Sequence, residues 1–154
     1  MGSYLNPGNK GFQESLNSEI YVDKTGMIKY TNSVLDTAQN YVCVSRPRRF
    51  GKSMAANMLT AYYSRGCDSE GLFADLEISK SADFKKYLNQ FDVIHLDIQW
   101  CMEPAGGADQ VVPYISEKTI AELKEYYPDA LSEDPRKTAA VSYTHLRAHE
   151  TSAH

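Results

Sequence analysis

Cysteine is scarce: Cys43, Cys67 and Cys101 are the only three in 154 residues, too far apart for the CxxC pairs that hold zinc or exchange disulfides. This odd, scattered set reads as reduced thiols. Long apolar runs are missing as well. No stretch approaches the roughly 20 apolar residues that a membrane-spanning helix needs, and no basic head precedes an apolar stretch of signal length. The expectation is a cytoplasmic chain with no membrane partner. A basic excess is also absent, since 16 Lys plus Arg stand against 20 Asp plus Glu for a formal charge of -4. Bulk charge would not draw such a chain to nucleic acid or an anionic membrane, so any basic site must be local. Internal repeats, coiled-coil heptads and low-complexity tracts are missing too. What is there, 42% hydrophobic and 23% charged residues, is the balance of one soluble globular domain or a large piece of one.

Three of the four histidines, His145, His149 and His154, crowd the C-terminal end. Their His-x3-His spacing has the outward form of a metal site. Back-translation of Val141 to Thr151, however, produces a string that resembles one frame of a common transposon-end sequencing adapter. Residues 141–154 are therefore read as a library artefact fused to a truncated gene. Their histidines are given no metal role, and the natural sequence is expected to end near Ala140.

Residues 1–18 mix Gly, Asn, Pro and Ser with few apolar anchors, which predicts a flexible leading segment with at most a short turn around Phe12 to Leu16. The ordered part, residues 19–140, begins near Glu19. Asp23 is placed to cap a helix in which Met27, Tyr30, Val34 and Ala38 recur at three- and four-residue steps. Tyr41 to Ser45 (YVCVS) is an unbroken β-prone run, as expected of a strand covered on both faces in a parallel sheet. From Gly51 to about Ser64 the period turns helical, with Met54, Met58, Ala61 and Tyr62 on one face and Arg65-Gly66 as the stop. Cys67 to Lys80 reads as irregular, anchored by Leu72, Phe73, Leu76 and Ile78, and Ala82 to Leu88 as a short helix. Phe91 to Ile98 reads as a second buried strand, joined to the first by a right-handed helical crossover. Met102 to Asp109, with Pro104, Gly106 and Gly107, reads as a loop. An amphipathic helix through Val112, Ile115, Ile120, Leu123 and Tyr127 follows, and Pro128 ends it.

The residues that carry chemistry are Arg46-Pro47-Arg48-Arg49-Phe50-Gly51-Lys52-Ser53. They fit the phosphate-binding pattern GxxxxGK[ST], except that Arg46 replaces the first glycine. A Gly-Lys-Ser/Thr triplet alone arises by composition in roughly one chain in ten of this length, so context decides. Here the triplet sits between an expected strand and the start of an expected helix. There the main-chain N–H groups from Arg49 to Ser53 would point into one concavity, with the helix N-terminus adding partial positive charge. Lys52 would reach the β- and γ-phosphates, and the Ser53 hydroxyl would take one position on Mg²⁺. Gly51 leaves room for the main chain to approach the phosphates. Candidate nucleotide-binding residues are thus Arg48, Arg49, Phe50, Gly51, Lys52 and Ser53, with Ser53 also the metal ligand and ATP with Mg²⁺ the cofactors. A solvated basic turn would explain the arginines, but not the position of Gly-Lys-Ser at that junction.

Tyr21-Val22-Asp23-Lys24-Thr25, followed some twenty residues later by Ser45 and the loop RPRRFGKS, resembles the AAA-ATPase-like family of bacterial proteins. Gly71-Leu72-Phe73 and Leu76-Glu77-Ile78-Ser79 match a further element of that family, and the resemblance covers about residues 12 to 130. Arginine in place of the first glycine is what the family shows. The resemblance implies an α/β fold, a P-loop NTPase (AAA/STAND-like) parallel-sheet core, here incomplete. It also implies a nuclease-like PD-(D/E)XK domain in many members, outside this chain, through which nucleic acid would be a partner. Tyr21 to Thr25 would lie near the adenine, although capping by Asp23 accounts for them as well.

Hydrolysis needs a second acidic site, usually a strand ending in Asp-Glu. Asp97 is followed by Ile98 and Gln99 rather than Glu, so it is read as a residue near the end of the neighbouring strand, with the hydrolytic strand beyond Ala140. His95 reads as a packed, hydrogen-bonded histidine. The chain is expected to bind nucleotide weakly at best and not to turn it over. Two other readings stay open: a small ATP-dependent phosphotransferase, and a nucleic-acid-binding module using the basic loop Arg46 to Arg49.

Overall fold

Helices supply nearly all the regular structure in the computed structural model, which describes residues 2–128. The expected ends of the natural sequence near Ala140 and the segment 141–154 lie outside the described residues. These residues divide into two compact units, Asn6–His95 and Gly2–Leu5 with the chain from Leu96 onward.

The first unit contains α1 (Lys10–Leu16), α2 (Gly26–Val34), α3 (Lys52–Tyr63), α4 (Glu70–Phe73), a 3-10 turn (Glu77–Lys80) and α5 (Phe84–Tyr87). Its core gathers Phe12, Ile28, Met58, Tyr62, Phe73, Ile78, Phe84 and Leu88 with Ala61. The leading segment, predicted to hold at most a short turn, carries α1, and Phe12 from it stacks on Phe73 with ring centroids 4.8 Å apart. Of the anchors expected between Cys67 and Lys80, Phe73 and Ile78 are fully buried.

Periodicity marked the buried face of α2 only in part, through Val34 and through Met27, which packs against the core. Ile28, Thr31, Asn32 and Val34 point inward, and Tyr30 is exposed. Two of the inward residues are polar, so an apolar pattern cannot find them. They are tolerated because their groups are paired. The Asn32 side chain donates to the Tyr62 hydroxyl (3.1 Å) and accepts from that of Tyr63 (2.6 Å). The Tyr62 hydroxyl in turn donates to the Phe84 carbonyl (2.9 Å), and Thr31 and Tyr63 share a hydroxyl pair at 2.6 Å. Burial pushes the Tyr63 phenol up to about 12, which keeps it a neutral donor.

The expected α/β fold with a parallel-sheet core is not observed. No sheet forms among the described residues, where Ser64 and Phe91 make an isolated parallel bridge. Tyr41 to Ser45 forms no strand, with Tyr41 65% and Val44 40% exposed. A β-prone run becomes a strand only when a second segment completes its hydrogen-bond ladder, and none does so here. Phe91 makes its bridge to Ser64 with both main-chain groups: its N–H donates to the Tyr63 carbonyl and its carbonyl accepts from the Arg65 N–H, both at 2.9 Å. That pairing serves the end of α3. The last carbonyls of a helix lack partners within it, and here the main chain of Asn89 and Phe91 reaches those of Tyr62 and Tyr63. The predicted stop at Arg65-Gly66 is therefore supplied from residues 89–91.

In the second unit, α6 (Ile98–Ala105) and α7 (Val111–Tyr126) enclose Cys101, Val111 and Ile115, with Tyr4, Leu96 and Tyr114 packed against them. Two expectations are corrected. The residues from Ile98 begin a helix instead of closing a strand, and α6 runs through Pro104 to the turn at Gly106, whose φ of 82° ends it in the left-handed region that glycine favours. The helix predicted up to Pro128 is present as α7, with Ile115 buried as expected, but Val111 and Thr119 take the other buried positions in place of Val112 and Ile120.

Glu122 extends this stripe. Its carboxylate accepts from the amides of Ser3 (2.8 Å), Tyr4 (2.9 Å) and Leu5 (2.8 Å). Three N–H groups on one carboxylate make strong, charge-assisted contacts, so Glu122→Ala is expected to destabilise this unit by about 2 kcal/mol. Amide hydrogen exchange would show faster exchange at residues 3–5 first. Unchanged protection there would mean that the carboxylate does not hold this N-terminal turn.

Candidate functional site

The helix α3 starts where the Gly-Lys-Ser triplet predicts. Gly51 occupies its N-cap with φ 76° and ψ 28°, a left-handed conformation that costs a residue with a Cβ about 1–2 kcal/mol. The first intrahelical bond runs from the Ala55 amide to the Gly51 carbonyl (2.9 Å), and no side chain caps the turn. The first-turn amides are thus unclaimed by a cap, as anion binding requires. Arg49 also has positive φ, 67°, so the chain reverses tightly ahead of the helix. Arg48, Arg49, Phe50, Lys52 and Ser53 are all exposed.

Lys52 folds back over the loop. Its Nζ donates to the carbonyls of Arg46 (2.5 Å) and Pro47 (3.3 Å), so one ammonium closes the turn that precedes its own helix. The structure therefore brings Arg46 to Ser53 together as one basic turn at a helix start, without the strand expected to lead into it.

Sequence reasoning missed Lys24. Its Nζ donates to the Phe50 carbonyl (3.4 Å) and lies 3.1 Å from where a Cβ on Gly51 would stand. The signal was in Tyr21 to Thr25, but those residues were assigned to the base or to a helix cap. Asp23 does not cap α2, whose N-cap is Thr25. One carboxylate oxygen accepts from the Thr25 amide (2.8 Å) and hydroxyl (2.7 Å), and the other from the Glu77 amide (2.7 Å). Thr25, fully buried, accepts from the Ile78 amide (3.1 Å). Burial acts to raise the Asp23 carboxyl, but the Glu77 amide, the two Thr25 donors and the Lys80 charge outweigh it and hold the group below its ordinary value. The stabilisation from this depressed group is present above its unfolded pKa and lost as pH falls through the folded one.

A cleft of about 70 Å³ beside the first turns of α3 is lined by Phe12, Tyr21, Val22, Lys24, Met54 and Met58, among others. It is well below the roughly 300–1,000 Å³ of small-molecule pockets. Asp97 is the N-cap of α6, its carboxylate accepting from the Trp100 amide at 3.2 Å, in place of the expected strand-end position. His95 is hydrogen-bonded, as expected, through Nδ1 to the Thr60 hydroxyl at 2.6 Å. Among the described residues no three His, Cys, Asp or Glu side chains gather as a metal site, and no helix is long and apolar enough to cross a membrane.

The family model described as predicted AAA-ATPase matches residues 8–152, and the chain belongs to this AAA-ATPase-like family. No curated protein and no solved structure matches the chain.

Proposed function

We propose that residues 46–53 bind the polyphosphate of ATP with Mg²⁺, as the nucleotide-holding part of an ATPase module. The observation that carries this reading is the start of α3: a left-handed Gly51, an uncapped first turn, and the Lys52 ammonium folded over the same loop. These supply amide donors, a helix N-terminus and a full positive charge within eight residues, the donor set that a polyphosphate needs. On binding, Lys52 would exchange two carbonyl partners for phosphate oxygens, a gain in charge-assisted bonding. Ser53 on the first turn would supply one oxygen to a Mg²⁺ otherwise held by phosphates and water, the usual division of ligands for that ion. Arg48 and Arg49, both exposed, stand beside the loop to offset phosphate charge.

The test is calorimetric titration of Mg²⁺-ATP into the protein and into Lys52→Ala. Loss of the ammonium is expected to weaken binding about 10- to 100-fold without changing the thermal midpoint, because its partners are solvent-accessible loop carbonyls. Exposed Phe50, 60% accessible between arginines and the triplet, favours one rival, a nucleic-acid contact. Steeply salt-dependent DNA binding together with no measurable affinity for Mg²⁺-ATP would decide for that rival.

A further inference from the structure

We propose that Lys24 is a second polyphosphate-binding cation, held against the loop by the two residues that flank it; this rests on the reading of residues 46–53 as a nucleotide site. Lys24 precedes the motif in sequence and Lys52 lies near its end, and the two hold opposite ends of one turn. Lys52 donates to the carbonyls of Arg46 and Pro47, Lys24 to that of Phe50. Lys24 arrives there on a rigid mount. Asp23 and Thr25 on either side of it bind the Glu77 and Ile78 amides at the start of the 3-10 turn Glu77–Lys80, so its main chain is fixed to the core while its side chain is free to reach.

Charge supports the assignment. Lys24, Arg46, Arg48, Arg49 and Lys52 place five cations on one turn and its neighbour in a chain whose formal charge is -4. The ion pairs among the described residues are Lys10–Glu14, Arg65–Asp92 and Lys85–Glu70, and none involves any of the five. Cations that are in no ion pair repel one another, and an anion with several oxygens relieves that repulsion most effectively. Lys24 has three N–H donors and spends one on a long bond to Phe50, leaving two for phosphate oxygens.

Asp23 is the positioning residue here and Lys24 the one that touches ligand. The probes are Mg²⁺-ATP, inorganic tripolyphosphate with Mg²⁺, and adenosine, titrated into the full chain and into Lys24→Gln, Lys24→Arg and Lys52→Ala. Glutamine keeps an N–H donor toward the Phe50 carbonyl but removes the charge, so a purely structural Lys24 would tolerate it. Expected are a loss of about tenfold in affinity for ATP and tripolyphosphate in Lys24→Gln, most of it restored in Lys24→Arg, with adenosine unaffected. The proposal is overturned if Lys24→Gln binds tripolyphosphate within twofold of the unaltered chain while Lys52→Ala loses it, a result that leaves the loop reading intact. If the unaltered chain binds neither ATP nor tripolyphosphate, both the loop reading and the role of Lys24 fall.

Discussion

Phe73→Ala is expected to lower the stability of the first unit by about 3–5 kcal/mol, the usual cost of emptying a fully buried aromatic site. Phe73 has no exposed surface. It stacks on Phe12 at 4.8 Å and meets the edges of Tyr62 at 5.5 Å and Phe84 at 6.4 Å, so one ring joins α1, α3, α4 and α5. Four elements cannot all close on the void left by alanine, and the neighbouring rings would lose their contacts as well as their shielding from water. Since folded domains are stable by only about 5–15 kcal/mol, the urea midpoint should fall by a large fraction of its value. Phe73→Leu, which keeps most of the volume, should cost less than half as much. A shift below about 1 kcal/mol for the alanine variant would show that this ring is not the centre of the core.

Asn89→Ala is expected to cost about 3 kcal/mol, for two reasons that a second variant separates. The Asn89 side chain accepts from the Ser69 amide (2.9 Å) and donates to the carbonyls of Ala61 (3.0 Å) and Ser64 (2.7 Å), so its loss orphans groups at the end of α3 and at the start of α4. Its φ is 55°, a conformation that asparagine tolerates better than alanine. Asn89→Gly removes the hydrogen bonds but not the tolerance for positive φ, so it should fall between the two. Asn89→Asp keeps the shape and the acceptor for Ser69, but sets an oxygen against two carbonyl oxygens and should be worse than glycine. Thermal unfolding of the three variants gives the order. An aspartate more stable than the glycine variant would mean that the carbonyls find water instead. Both substitutions act on the frame that carries α3, so in either variant nucleotide affinity should follow the folded fraction, unlike in Lys52→Ala.

Local chemistry was readable in this chain to the extent that its structure is local. Gly51-Lys52-Ser53 marked the start of α3 because the glycine and the triplet act over one turn, and Phe84–Tyr87 and Val111–Tyr126 appeared where short-range periodicity placed helices. Tyr41 to Ser45 and Phe91 to Ile98 were misread because β-prone composition does not say whether another segment will complete a ladder. Lys24 was passed over since its role depends on a contact 26 residues away, with the Phe50 carbonyl. The polar face of α2 was invisible for a related reason: Thr31 and Asn32 are acceptable in a core only once Tyr62 and Tyr63 supply their partners.

By itself the sequence determined the family and the position of the basic turn with its glycine, lysine and serine, because those depend on residue identity over a few adjacent positions. Only the tertiary structure decided that helices, not a sheet, surround the turn, that Asn89 ends α3, that Asp97 caps a helix, and that Lys24 stands opposite Lys52. Apart from the Asp97 cap, which is a local bond to Trp100, these depend on contacts between segments distant in the chain, and which distant partner satisfies a polar group is settled by packing, not by the neighbours in sequence.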